Sequence, residues 1–248
     1  MYGRALKVGL SVTIFFGLKG RQKKYFHYYP SRKDAVFIKE SGQFAVSDLK
    51  KCLRKNIITI MTKSTIRKLY RQKRMDLSIS EKDRLEDLLL IQFQSLHLDI
   101  PDNIMTFSPI GNFNEYNPIL IEEYCFFKNP AATLIYPVTN FKNNSLIPVA
   151  TKEDTIFEVN EYQIGEPVNG TPISPVDIDL MLLPLLGFNA DGYRVGYGKG
   201  FYDKLINDCN PTMLKIGFSF FSEVVIDDIN EFDKKMDICI TPDRIFKF

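Results

Sequence analysis

The sequence predicts an α/β domain built on a mostly parallel sheet, and three observations carry that expectation. Apolar runs of strand length at residues 104–107, 131–138, 145–150, 180–186 and 214–220 alternate with helical segments at 62–75, 78–98 and 204–207. Turn residues punctuate the runs, and the Asn143-Asn144 pair makes 131–138 and 145–150 a hairpin. At 248 residues with 45% hydrophobic content, the chain can bury one full core of moderate size.

Residues 1–33 carry eight basic side chains and no acidic one. The eleven-residue apolar run within them, 8–18, is too short to span a bilayer and no small-residue cleavage pattern follows it, so a targeting segment is the weaker reading. From Thr62 the pattern turns helical. Lys63, Arg67, Arg71 and Arg74 stand at i, i+4, i+8 and i+11 on one stripe, while Ile66, Leu69, Tyr70 and Leu77 form an apolar face. Such a stripe either grips phosphates or is a solvated charged face. Ser78 and Ser80 ahead of Glu81 and Asp83 form a capping-box pattern that starts the second helix. Leu85, Leu88, Leu89 and Phe93 are its core positions, and His97 at its end is a surface or cap residue.

After Pro101 comes the strand at 104–107, then a loop reading SPIGNFNEYN; residues 162–167 read as a structural turn. The run 180–186, broken by Pro184 and ended at Gly187, is a buried strand leaving the sheet. Asp227, Asp228, Glu231, Asp233 and Asp237 cluster in the tail, where most such acids face solvent.

Composition excludes several chemistries. The net charge of +2 does not mark the whole chain as a nucleic-acid binder, although the charge is unevenly spread. Cys52, Cys125, Cys209 and Cys239 are far apart and form no C-x-x-C pair, so free thiols in a reducing compartment are expected. With His27 and His97 the only histidines, a histidine-based triad or multi-histidine metal site lacks material. Chemistry here runs on Lys, Arg, carboxylates and backbone.

The material for it is concentrated between Arg194 and Asp203. Gly196, Gly198 and Gly200 alternate there, and a backbone without Cβ atoms approaches a polyphosphate closely and turns its N–H groups toward it. Arg194 and Lys199 add positive charge, and Asp203 is a hard oxygen ligand suited to Mg²⁺. The spacing G-x-G-x-G is neither the dinucleotide fingerprint nor a P-loop, and alone it is equally a tight turn capping a strand.

The longer run DLMLLPLLGFNADGYRVGYGKGFYD resembles the signature of the 5-formyltetrahydrofolate cyclo-ligase family, with glycines, arginine, aromatic pair and aspartate all in place. The segment KSTIRKLYRQKRMDLS is similar to that family's amino-terminal helix, whose K-x-x-L-R motif contacts ATP; Lys63 and Arg67 match, and Ile66 stands where leucine is usual. DKKMDICIT is similar to the closing D-x-x-x-D-x-x-x-T element, whose first aspartate, here Asp233, accompanies the loop aspartate at magnesium. Two departures stand out. Asn112 occupies the place of a folate-contacting glutamate, with Glu115 three residues later, able to serve only if the loop is rearranged; Val138 replaces an arginine common after the proline matching Pro137.

The resemblance covers roughly residues 62–245 and implies a three-layer α/β/α fold with a mostly parallel central sheet. It implies ATP-dependent conversion of 5-formyltetrahydrofolate to 5,10-methenyltetrahydrofolate with Mg²⁺ as cofactor, in a cytoplasmic monomer that engages neither nucleic acid nor membrane. The ATP contacts so implied are Lys63, Arg67, Arg194, Val195, Gly196, Tyr197, Gly198, Lys199, Gly200, Phe201 and Tyr202, with Arg194 and Lys199 catalytic. Phe107, Asn112, Glu115 and Tyr202 would contact the folate, and Asp203 with Asp233 the metal; for Phe201 and Tyr202 plain core packing stays open. Residues 1–60 lie outside the resemblance and are expected to be a dispensable basic extension, with Met61 as the working initiator and 61–248 as the functional domain. Two other readings remain: a non-catalytic nucleotide- or RNA-binding module that uses the basic helix, and a relative acting on another N-formyl substrate.

Overall fold

The computed structural model describes residues 60–248 and, at backbone level, strands Val12–Phe16, Lys24–Tyr28 and Val36–Phe37. Two compact units divide the chain, one made of residues 1–62 with 224–227, the other of 63–223 with 228–248. In the first, the three strands form an antiparallel sheet in sequence order, with Val12 opposite Tyr28 and His27 opposite Phe37, and Ile60–Met61 pairs in parallel with Val225–Ile226. The expectation of a dispensable segment 1–60 falls largely outside the described residues.

The second unit carries an eight-stranded sheet. Its strands are β1 (Asn103–Met105), β2 (Thr133–Asn140), β3 (Ser145–Ala150), β4 (Thr171–Pro172), β5 (Leu180–Leu183), β6 (Leu214–Phe218), β7 (Ile238–Ile240) and β8 (Ile245–Lys247). Their spatial order is β4-β3-β2-β1-β5-β6-β7-β8. The five central strands run parallel, and the antiparallel pairs β2/β3, β3/β4 and β7/β8 lie at the two sides. The chain builds outward from β1 in one direction, returns, and builds outward from β5 in the other, so the strand order reverses between β1 and β5. Crevices beyond the carboxyl ends of strands at such a reversal are where open α/β sheets hold ligands.

Alternation along the strands produces two core layers. Ile104, Leu134, Leu180, Leu182, Ile216 and Ile240 face Leu89 and Phe93 of α2 (Ile79–Ser95) and Ile121 and Cys125 of α3 (Ile119–Lys128). On the opposite face Met105, Ile135, Met181, Leu183 and Cys239 pack with Leu205 of α4 (Phe201–Asp208) and Cys209 just beyond it. The expected three-layer arrangement is therefore present. An additional helix, α1 (Lys63–Met75), sets Ile66 against Gly187 and Tyr70 edge-on to Phe221, their ring centroids 5.4 Å apart. No helix among the described residues is long and apolar enough to cross a membrane.

Several boundaries differ from expectation for local reasons. β5 stops at Leu183 because Pro184 has no N–H to continue the ladder. β1 ends at Met105, which frees Phe107 to turn out of the sheet, although Thr106 N still donates to Ile135 O. The capping box at α2 is Ser78 with Glu81, and the helix ends at Ser95, ahead of His97 in a left-handed conformation (φ 50°). The segment expected as a turn at 162–167 holds a strand instead, since Gly165–Pro167 pairs with Phe157–Val159 and the reversal falls at Gln163 (φ 63°). Within that strand Glu166 accepts a bond from Thr139 N at 2.9 Å, which pins the strand to β2.

Beneath β1 and β2 lies a buried carboxylate that sequence patterns did not single out. Glu122 on α3 accepts from Thr106 Oγ1 at 2.6 Å and from the Tyr136 hydroxyl at 3.0 Å, and its burial pushes its pKa up. An acid with a raised folded-state pKa binds its proton more readily folded than unfolded. Its stabilising contribution is complete below the ordinary glutamate range and is lost as pH rises through the folded value. The melting temperature of Glu122→Gln is therefore expected to fall less between about pH 5 and pH 7.5 than that of the parent. Parallel profiles would show that Glu122 does not titrate differently on folding.

Candidate active site

At the reversal between β1 and β5 opens a cavity of about 930 Å³. One wall comes from α1. Lys63, Arg67 and Arg71 face into the cavity at i, i+4 and i+8, while Arg74, one position further on the stripe, is buried. The amino end of α1 is held by Asp228, whose carboxylate accepts from Lys63 N at 2.7 Å.

The glycine loop forms the floor. A short antiparallel ladder between Gly187–Phe188 and Arg194–Val195 delivers the chain to Gly196, whose carbonyl accepts from Arg67 Nε at 2.9 Å. Gly198 (φ 100°) and Gly200 (φ 70°) adopt conformations that L side chains rarely take, and a Cβ on Gly198 would lie 3.1 Å from the Arg67 guanidinium carbon. At Gly196 and Gly200 a Cβ would meet no protein atom within 4 Å. Gly200 is also the N-cap of α4 and offers no side-chain cap, so the first amides of α4 are left for a ligand. Lys199 is exposed at the loop tip.

Two ion pairs cross the floor. Arg194 Nη1 lies 3.1 Å from Asp203 Oδ1, which also accepts from Lys234 N at 3.1 Å. Lys63 Nζ pairs with Asp233 Oδ2, which accepts from Asn230 N at 2.7 Å. No hydrogen bond or ion pair among the described residues uses Asp203 Oδ2 or Asp233 Oδ1.

The far end is built around Glu115. A 3₁₀ turn at Gly111–Phe113 followed by left-handed Asn114 (φ 48°) swings Glu115 inward and leaves Asn112 exposed at the rim. Glu115 is 3% exposed and accepts from Ile110 N at 2.9 Å and from the Tyr197 hydroxyl. That hydroxyl accepts from Arg74 Nη2 at 2.6 Å, and Arg74 Nη1 stands 3.8 Å from the Glu115 carboxylate. Burial pushes the Glu115 pKa up, with Arg74 and the Tyr197 bond opposing it. Burial and the neighbouring Glu115 charge likewise push the Tyr197 phenol up, which keeps it a proton-bearing donor. Phe113 stacks on Tyr197 with centroids 6.1 Å apart and lies under the Arg71 guanidinium at 4.2 Å.

Of the residues implicated by sequence, Lys63, Arg67, Phe107, Asn112, Glu115, Arg194, Gly196, Tyr197, Gly198, Lys199, Gly200, Phe201, Tyr202, Asp203 and Asp233 all border this one cavity. Val195 does not, since its side chain is wholly buried behind the floor. Sequence reasoning missed the wall made by Pro137, Thr139, Phe141, Tyr162 and Ile164. There Phe141 stacks on Tyr162 at 4.6 Å and meets Phe201 edge-on at 6.3 Å. Aromatics at two hairpin ends could have signalled it, but only strand pairing brings them together. Among the described residues no group of three or more His, Cys, Asp or Glu side chains is arranged to hold a metal ion unaided.

Comparison with known proteins agrees with this geometry. The family model described as the 5-formyltetrahydrofolate cyclo-ligase family matches residues 113–242. A 5-formyltetrahydrofolate cyclo-ligase of Mycoplasma pneumoniae is 30% identical over 162 residues, 64% of this chain and 86% of that protein. One from Mycoplasma genitalium is 28% identical over 181 residues, 73% of this chain and 98% of that protein. Among solved structures, a 5,10-methenyltetrahydrofolate synthetase from Mycoplasma pneumoniae superposes with a TM-score of 0.59 at 26% identity, covering 73% of this chain and 99% of that one. The Aquifex aeolicus 5,10-methenyltetrahydrofolate synthetase does so with a TM-score of 0.62 at 26% identity, over 75% and 93% of the two chains. With the family's motif residues gathered around a single cavity at the strand reversal, the chain belongs to the 5-formyltetrahydrofolate cyclo-ligase family and is an enzyme of the ligase class.

Proposed function

We propose that the protein converts 5-formyltetrahydrofolate to 5,10-methenyltetrahydrofolate at the expense of ATP, releasing ADP and phosphate, and that residues 61–248 carry the activity. The observation that supports this most directly is the division of one cavity into a cationic glycine floor and an aromatic-walled end holding a buried carboxylate. The floor suits a polyphosphate, with loop and helix amides turned to it and Arg67, Arg194 and Lys199 around it. The other end suits a flat heterocycle, packed against an aromatic wall such as the stacked Phe141 and Tyr162 pair, with Glu115 accepting from ring N–H groups.

The formyl oxygen attacks the γ-phosphoryl group, N10 closes on the activated carbon, and phosphate leaves. No enzyme nucleophile is needed, and catalysis rests on positioning and charge neutralisation. Arg194 and the loop amides orient the phosphates, and Lys199 neutralises the charge that develops on the transferred group. Asp203 and Asp233 fit a magnesium ion through the oxygens the protein leaves unengaged, Asp203 Oδ2 and Asp233 Oδ1, provided that nucleotide oxygens and water complete the shell. Such an ion would offset phosphate charge.

The basic stripe argues for this reading over an RNA-binding module, because three of its four cations line the cavity and the fourth is buried against Glu115. The thiols of Cys125, Cys209 and Cys239 are free and buried, in keeping with a cytoplasmic protein; we read it as a monomer. The test is absorbance growth of the methenyl product from 5-formyltetrahydrofolate, with ATP and Mg²⁺ present or omitted. Signal that needs all three components is expected. Silence from folded, ATP-binding protein would redirect the search to another N-formyl substrate.

A further inference from the structure

The cations best placed for phosphate are already closed on carboxylates. Lys63 is bound by Asp233 and Arg194 by Asp203, and both lysine and arginine are largely buried in these pairs. Neither carboxylate is free to swing away, because Asn230 N holds Asp233 and Lys234 N holds Asp203. A bare triphosphate entering the floor would therefore compete with two fixed anions for Lys63 and Arg194, and would lie against those anions once bound. Asp203 and Asp233 would instead favour a triphosphate that carries a divalent ion, because charge held at their unengaged oxygens Oδ2 and Oδ1 would offset the two carboxylates and weaken their hold on Arg194 and Lys63.

Resting on the nucleotide reading above, we propose that Asp203 and Asp233 are specificity-determining residues that make the site reject metal-free nucleotide. Repulsion of the wrong ligand is built into the floor. The two fixed carboxylates screen the phosphate-binding cations until their charge is offset, so metal and nucleotide bind well only together. Electrostatic attraction and exclusion thus come from the same four side chains.

Calorimetric titration separates this from a plain metal-ligand role. ATP and inorganic tripolyphosphate in EDTA, and ATP in excess Mg²⁺, are titrated into the parent protein, Asp233→Asn and Asp203→Asn, each checked by thermal melting. The parent is expected to bind metal-free ATP about a hundredfold more weakly than the magnesium complex. Each asparagine variant is expected to bind metal-free ATP and tripolyphosphate at least about tenfold more tightly than the parent, and the magnesium complex more weakly. Asparagine keeps the oxygen that accepts the backbone N–H, and the Asp203 side chain is the more exposed, at 27% against 16% for Asp233, so its variant carries the test if Asp233→Asn fails to fold. Variants that bind metal-free ATP no better than the parent overturn the inference and leave the proposed activity standing. A parent protein that binds no form of ATP overturns the activity and the inference with it.

Discussion

Lys199→Ala is expected to lower kcat by about a hundredfold to a thousandfold while leaving the melting temperature unchanged. The side chain is exposed at the tip of the glycine loop, so its removal opens no core and breaks none of the ladders or ion pairs that build the cavity. Its charge is what the reaction would use, as negative charge shifts on the transferred phosphoryl group. Steady-state kinetics tell the alternatives apart. A loss confined to KM means that Lys199 only helps to hold ATP, whereas equal losses in kcat and kcat/KM place its contribution in the transition state.

The largest stability effect is expected at Arg74, where the buried ion pair is supported through Tyr197. Arg74 and Glu115 are each 3% exposed, and removing the guanidinium leaves a carboxylate buried with one backbone N–H and one phenol. Breaking a buried pair from one side costs about 3–5 kcal/mol. For a chain of this size that corresponds to a melting temperature lower by roughly 10 °C. Adding Glu115→Gln to Arg74→Ala removes the stranded charge, so the double variant should melt higher than the sum of the single effects predicts. Strict additivity would show that the pair is not coupled and that Glu115 is held by its other bonds alone.

These two residues also mark what was legible in the sequence. Lys199 sits in a contiguous word whose glycine spacing, charges and following helix are local properties, and local properties can be read from a string. Five of the eight sheet strands were readable too, with boundaries that moved by a few residues, as where Pro184 ended a ladder and Phe107 turned into the cavity, whereas β4, β7 and β8 are too short to announce themselves. Arg74 was visible only as one member of a basic stripe. That it leaves the stripe's solvent-and-ligand side to meet Glu115 depends on Tyr197, 123 residues away in the chain. The Asn112 departure was legible, but the burial of Glu115 at the cavity's far end was not, since it needs the left-handed turn at Asn114. Glu122 has no signature, because an isolated glutamate on a helix becomes unusual only when Thr106 and Tyr136 close over it.

The reversal of strand order between β1 and β5 has a bearing on how the molecule is made. β1 finds β2 within a short stretch of chain, and β3 and β4 join the same side, but its other neighbour begins at Leu180. At a ribosomal rate of about 5–20 residues per second, roughly 4–15 s separate the emergence of Met105 from that of Leu180. Throughout that interval one edge of β1 is unpaired, and the later half of the sheet must close on it across a long loop, a slow and entropically costly step. The cavity lies on that seam, with Phe107 and Glu115 from the earlier-made half and Arg194 and Asp203 from the later. A complete cavity is thus acquired late in the order of synthesis, only after the strands beyond the reversal have been made.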